Sequence, residues 1–229
     1  MRSIVGWILA FAAAATLATA AAAHSLEELQ AMLLEKELYF QPVDQPAPEF
    51  TLQDADGKVF RLADLRGKVI VLHFIYASCP DVCPLHADRI AEIQKMVNLT
   101  PMKDRVQFVS ISTDPEHDTP EILRGYGPAH ELDDANWVFL TTRPDQPADL
   151  TRTLVEAYGH KFTRTENGQL MHGVVTHVID KEGRWRANFY GLEFASVNLI
   201  RFVNALTNDV QRPHHHKEKG FWDRVREFF

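Results

Sequence analysis

Apolar and polar positions divide the chain into alternating strand and helix signals. Val69 to Tyr76 is a nearly unbroken apolar, β-branched run, the pattern of a strand buried on both faces of a parallel or mixed sheet. Val106–Ser112 repeats that pattern, and Val174 to Ile179 gives a third core strand, closed by the hairpin turn Asp180-Lys181-Glu182-Gly183 into a partner at Trp185 to Tyr190. Helical spacing predicts helices over Leu85 to about Val97, from Pro120 with Thr119 as cap, over Ala148 to Tyr158, and over Ala195 to Thr207. Asn136 to Thr141 reads as a further strand and Phe162 to Thr165 as a weak one before the turn Glu166-Asn167-Gly168. Alternating strand and helix with no repeat predicts an α/β sandwich built on βαβ units. A cysteine pair after the first core strand and a terminal hairpin plus helix give it a thioredoxin-like architecture.

Ahead of that core, Phe50 to Leu62 reads as two short strands joined at Asp54-Ala55-Asp56-Gly57. Leu26, Leu29, Leu33 and Leu34 mark a short amphipathic helix, and the proline-rich Gln41 to Pro48 reads as an extended boundary segment. The amino end joins Arg2 to an apolar run and a stretch of small residues before His24, so residues 1–23 are expected to be an export signal, or an uncleaved membrane anchor of about one span. Cleavage there would leave His24 with an amine and an imidazole that together suit copper(II). The expected organisation is thus residues 1–23 as signal or anchor, 24–47 as helix and linker, 48–209 as the thioredoxin-like domain, and 210–229 as a tail. That tail carries His214-His215-His216 and an apolar stripe of Phe221, Trp222, Val225, Phe228 and Phe229, suited to a membrane surface, a partner or its own domain.

Composition changes this picture little. The 229 residues, 45% of them hydrophobic, can bury one core, and a formal net charge of −7 argues against nucleic acid as a partner. The two cysteines matter more. Both fall in Cys79-Pro80-Asp81-Val82-Cys83-Pro84, between the first core strand and its helix. Four residues apart on an opening helical turn, their sulfurs share a face and can close a disulfide or chelate one metal ion. The positive end of the helix dipole favours thiolate there. A purely structural disulfide across so short a loop would contribute little by the chain-entropy account.

Three blocks in order carry a resemblance: CPDVCP after an apolar strand, ISTDPEHDTPE after the next, and His172 eleven residues before Gly183. Over roughly Pro48 to Leu206 the chain resembles the SCO/SenC family of thioredoxin-like copper proteins. The resemblance implies a thioredoxin-like fold with a central mixed sheet, helices on both faces and an inserted hairpin. It implies an exported protein, periplasmic or associated with the inner membrane, that binds one copper through Cys79, Cys83 and His172 and delivers it to the copper-receiving subunit of cytochrome c oxidase. Independent chemistry agrees, because soft thiolates select copper(I), whereas zinc usually takes four donors.

His177 and His73 lie inside apolar strands and read as packed core histidines, while His86, three residues past Cys83, is a further candidate near the site. The family's surroundings of its ligand histidine are altered here to Met171-His172-Gly173. Asp81 and Asp114 fall on the family's motifs as site-orienting or turn residues. Two other functions remain open: thiol–disulfide exchange through Cys79 and Cys83 with a thiol-reducing thioredoxin-like partner, and a thiol peroxidase, for which Arg143 is a supporting arginine by composition alone.

Overall fold

The computed structural model describes residues 25–147, 149–161, 163, 164, 170, 171 and 173–208. The amino-terminal segment, His172, the His214–His216 tail and the apolar stripe behind it lie outside the described residues.

The strand that the sequence marks as central, β4 (Val69–Ile75), is buried along all seven residues. Six strands form the main sheet in the order β1-β10-β9-β4-β5-β6, with β1 at Phe40–Pro46, β5 at Val106–Ser112, β6 at Trp137–Leu140, β9 at Val175–Ile179 and β10 at Arg184–Tyr190. β4 runs parallel to β5 from Val69↔Val106 to Ile75↔Ser112, and β5 runs parallel to β6. On its other side β4 is antiparallel to β9, which turns back into β10. Asp180 shapes that turn: its Oδ1 accepts the N–H groups of Glu182 at 3.1 Å and Arg184 at 2.8 Å, and Gly183 supplies the left-handed residue at φ 78°. The sheet is therefore mixed, as expected. Hairpin β2 (Thr51–Gln53) and β3 (Val59–Arg61) stands apart, as does the short pair β7 (Thr163–Arg164) and β8 (Leu170–Met171).

Successive residues of β4 feed opposite faces. Val69, Val71 and Ile75 join a core with α1 (Leu26–Lys36), α2 (Val82–Asn98), α3 (Pro120–Ala129) and α5 (Ser196–Thr207). Ile70, Leu72 and Phe74 join a second core with Leu154 and Val155 of α4 (Leu150–Ala157) and with Leu52 of the hairpin. Both faces are covered, which is why β4 tolerates no polar alternation.

The boundary expected near Pro48 is displaced. Phe40–Pro46 is extended, but as the edge strand β1, paired antiparallel with β10 from Phe40↔Phe189 to Pro46↔Arg184 and irregular between Pro42 and Gln45. Its prolines fit an edge strand, where unpaired donors cost little. The helix before it is docked as well. Ser25 and Glu28 form a reciprocal capping box on α1, Leu33 is fully buried, and the Glu37 carboxylate accepts the Ala195 N–H at 3.0 Å and the Asn198 amide at 2.8 Å. Glu37 thereby caps α5, whose own cap residue, Ala195, has no polar side chain. Residues 25–46 are part of the folded unit. The other elements differ from expectation by a few residues at their ends; α2 starts at Val82 because Cys83 and Pro84 suit a first turn that needs no intrahelical donors.

Candidate metal centre

β4 ends at Ile75, and the chain turns through Tyr76, Ala77 and Ser78, with the Cys79 N–H donating to the Tyr76 carbonyl at 3.2 Å. α2 then starts at Val82. Asp81 holds the cap position without a side-chain cap bond, so the first N–H groups of α2 point toward the turn unclaimed by its carboxylate. Cys83 sits in that first turn, and Cys79 and Cys83 are both buried thiols.

The two thiols influence one another and differ sharply. Burial alone would raise the Cys79 thiol, but the backbone N–H groups of Asp81 and Cys83, the Cys83 thiol and the Tyr76 hydroxyl outweigh it and hold its pKa below the ordinary value. Cys83 is pushed up to about 12, chiefly by burial and further by Cys79 and by the negative charge of Asp118. Tyr76 is raised by burial and by its hydrogen bond to Cys79. Cys79 is thus the sulfur shifted toward thiolate and Cys83 the one that holds its proton more firmly.

The loop after β5 braces this turn. Asp118 Oδ1 accepts the Ala77 N–H at 3.1 Å, and its second oxygen accepts the Ser112 hydroxyl proton. The Ser112 oxygen in turn accepts the Asp114 N–H at 3.0 Å, and the Asp114 carboxylate holds His117 Nδ1 at 2.8 Å. Burial raises Asp118 above the usual carboxylate range despite those bonds. Sequence reading singled out Asp81 and Asp114. Asp118 and Tyr76 bear more directly on the thiols, and the signal for Asp118 was its place in ISTDPEHDTPE, a turn that has to satisfy its own buried donors.

Of the residues expected at the site, the structure brings Cys79 and Cys83 together; His172 lies outside the described residues. His86 is buried, with Nε2 2.9 Å from Thr176 Oγ1 and its ring 4.7 Å from that of His73. His73 Nε2 lies 3.1 Å from Ser110 Oγ, which also accepts the Trp137 indole N–H. These two are packed, hydrogen-bonded core histidines. Arg143 is occupied by Asp145. Among the described residues no three His, Cys, Asp or Glu side chains converge to hold a metal ion. The cysteine pair supplies two soft donors and suits copper(I) or reversible disulfide chemistry.

Comparison with known proteins yields one family: residues 41–206 match the SCO1/SenC family model. The chain is similar to the crystal structure of a SCO1/SenC family lipoprotein from Bacillus anthracis, 32% identical, TM-score 0.64, covering 72% of this chain and 97% of that one. It is similar to ScoI of Bradyrhizobium japonicum, solved with copper bound, 25% identical, TM-score 0.57, covering 70% of this chain and 99% of that one. It also shares the fold of BsSco, described as a member of the Sco family of cytochrome c oxidase assembly proteins with a disulfide switch, at 24% identity and TM-score 0.63, covering 73% of this chain and 96% of that one.

Proposed function

The chain belongs to the SCO1/SenC family, and from that premise we propose that it binds one copper(I) ion through Cys79, Cys83 and His172 and passes it to the copper-receiving subunit of cytochrome c oxidase during assembly. The observation that carries this reading is the pair of buried free thiols at the turn into α2, one of them shifted toward thiolate. Copper is the cargo. Thiolate donors bind it in its reduced form, the imidazole of His172 completes a three-coordinate set that also tolerates copper(II), and ligand exchange hands the ion on without an external base.

Burial, the Tyr76 hydroxyl and the Asp118 charge set the proton affinities of the two thiols. That arrangement also favours a second reading, thiol–disulfide exchange, in which the Cys79 thiolate attacks a client disulfide and Cys83 resolves the mixed disulfide, a thioredoxin-like partner restoring both thiols. The ScoI neighbour with bound copper supports the first reading. We place the protein outside the cytoplasmic membrane, exported by residues 1–23 and held near the bilayer through one terminus or the other. Among the described residues no helix is long and apolar enough to cross a membrane.

A competitive copper(I) titration of the reduced protein tests the assignment. One copper per chain is expected, with affinity falling more than about 100-fold in each of Cys79→Ser, Cys83→Ser and His172→Ala, beyond the 10–100-fold that outer-shell changes cost. Affinity indifferent to His172 would move the function to dithiol exchange. Protein truncated at Pro48 is unsuitable for the assay, since it lacks β1 and the Glu37 cap of α5.

A further inference from the structure

Both thiols are recessed, so an ion arriving from solvent meets the rim of the site before either sulfur. One side of that rim is the loop between β5 and α3, which is joined to the turn leading into Cys79 at two points. The Thr113 N–H donates to the Ile75 carbonyl at 2.9 Å, and the Ala77 N–H donates to Asp118 at 3.1 Å. Between those anchors the loop folds back on itself, the N–H groups of His117 and Asp118 both donating to the Asp114 carbonyl, at 3.1 and 2.9 Å. Asp118 is buried in this turn, whereas the side chain of His117 beside it is 73% exposed.

His117 is oriented although it is not packed. Its Nδ1 lies 2.8 and 2.9 Å from the two carboxylate oxygens of Asp114. An ionised carboxylate can only accept, so Nδ1 carries the proton and the neutral ring keeps its lone pair on Nε2, the nitrogen not engaged by Asp114. A histidine whose other ring nitrogen donates to a carboxylate is the arrangement in which proteins orient a metal ligand and raise its basicity. Glu116 adds negative charge beside the ring, which favours a cation there. The Asp114 charge is also felt at Tyr76, which interacts with Cys79, so the dyad and the more reactive thiol share a neighbour.

We propose that His117 is an entry ligand for copper(I), which binds its Nε2 first and is then passed inward to the Cys79 thiolate. This rests on the reading that the cysteine pair holds copper(I) as cargo. The metal keeps its oxidation state throughout. It leaves an incoming copper(I) chelate for His117 Nε2 and then exchanges that nitrogen for the Cys79 thiolate, while the Cys83 thiol gives its proton to water as it becomes the second sulfur donor. His117 is then free again, so this side chain governs how fast copper arrives and not how tightly it is held. Imidazole suits the role because copper accepts it, whereas the soft thiolates retain the reduced ion.

The test is stopped-flow uptake of copper(I) by the reduced full chain from its coloured bicinchoninate complex, paired with an equilibrium titration against the same chelate. Asp114 holds the His117 ring above the ordinary histidine pKa, so the assay is run at about pH 8 to favour the neutral ring. The histidine tail is present in every variant and cancels in the comparison. His117→Gln, which offers no nitrogen lone pair, is expected to slow uptake about tenfold, the lower end of what raised local concentration contributes to on-rates. Its equilibrium affinity should stay within about threefold of the parent, less than the loss of an outer-shell partner costs. His117→Met supplies a thioether donor and should restore the parental rate. Parental uptake by His117→Gln overturns the proposal, and so does a methionine variant as slow as the glutamine one, because the imidazole would then act through the loop and not as a donor. A deficit that vanishes at about 1 M salt, where exposed charges are screened beyond about 3 Å, also overturns it, since steering alone would account for the rate. If the parent itself took no copper(I) from the chelate, the cysteine reading would fail and this proposal with it.

Discussion

Reduced protein treated with iodoacetamide at neutral pH is expected to lose Cys79 before Cys83, by a margin that follows from their surroundings. Both sulfurs are buried, at 7% and 5% exposure, so access does not separate them. Proton affinity does. Cys79 is held below the ordinary thiol value and Cys83 is pushed up to about 12, so at neutral pH Cys79 holds the larger thiolate population. Each pKa unit between them is worth about tenfold in thiolate population and returns about threefold to Cys83 through its higher intrinsic nucleophilicity. The net preference for Cys79, about threefold per unit of separation, is read by peptide mass spectrometry after timed quenching. Cys79→Ser supplies the second arm: it removes a thiol whose hydrogen bond and charge both raise Cys83, so the Cys83 alkylation midpoint should fall from about 12 yet stay above the ordinary thiol range, because burial remains its largest cause. Modification of Cys83 at a rate equal to or above that of Cys79 would refute the assignment of attacking and resolving roles.

Two further perturbations probe the frame that holds the site. A Cβ added at Gly127 of α3 would lie 2.4 Å from Cζ3 of Trp137, a ring tied through its Nε1 to Ser110 Oγ at 2.9 Å; Gly127→Ala should cost about 1–3 kcal/mol in urea denaturation, and an unchanged midpoint would show that β6 yields freely. Asp118 holds its proton to higher pH when folded than when unfolded, since burial outweighs its hydrogen bonds. Its contribution to stability therefore falls as pH rises from about 4 through the raised folded value. Asp118→Asn lacks that slope, so the variant should gain relative to the parent between acidic and neutral pH, while its Cys83 midpoint drops; a parent that gains instead would reverse the sign of the burial argument.

Local chemistry determined much of this protein directly. Six apolar residues out of seven, interrupted only by His73, could only be satisfied by burial on both faces, so Val69–Ile75 was legible as the sheet's centre, and Thr119-Pro120 fixed the start of α3 within one turn. Cys79 and Cys83 were legible because their spacing and position before a helix are properties of adjacent residues. Other features depend on contacts between segments far apart in the chain. Gln41 to Pro48 looks like a linker until Phe40 meets Phe189 across β10, since proline and polar residues at an edge strand carry no periodic signal of their own. Glu37 reads as one more exposed helical carboxylate, yet it caps a helix 158 residues away. Asp118 reads as a turn former until the Ala77 N–H reaches it across 41 residues. His160 and His177 are 17 residues apart and individually resemble core histidines; only the packing of the segment behind α4 against β9 brings their Nε2 atoms to 2.8 Å. Sequence determined the elements and the thiol chemistry because both are set by near neighbours. The proton affinities, the bracing of the turn and the second histidine pair were decided by the tertiary structure, because burial and hydrogen-bond partners belong to the assembled core.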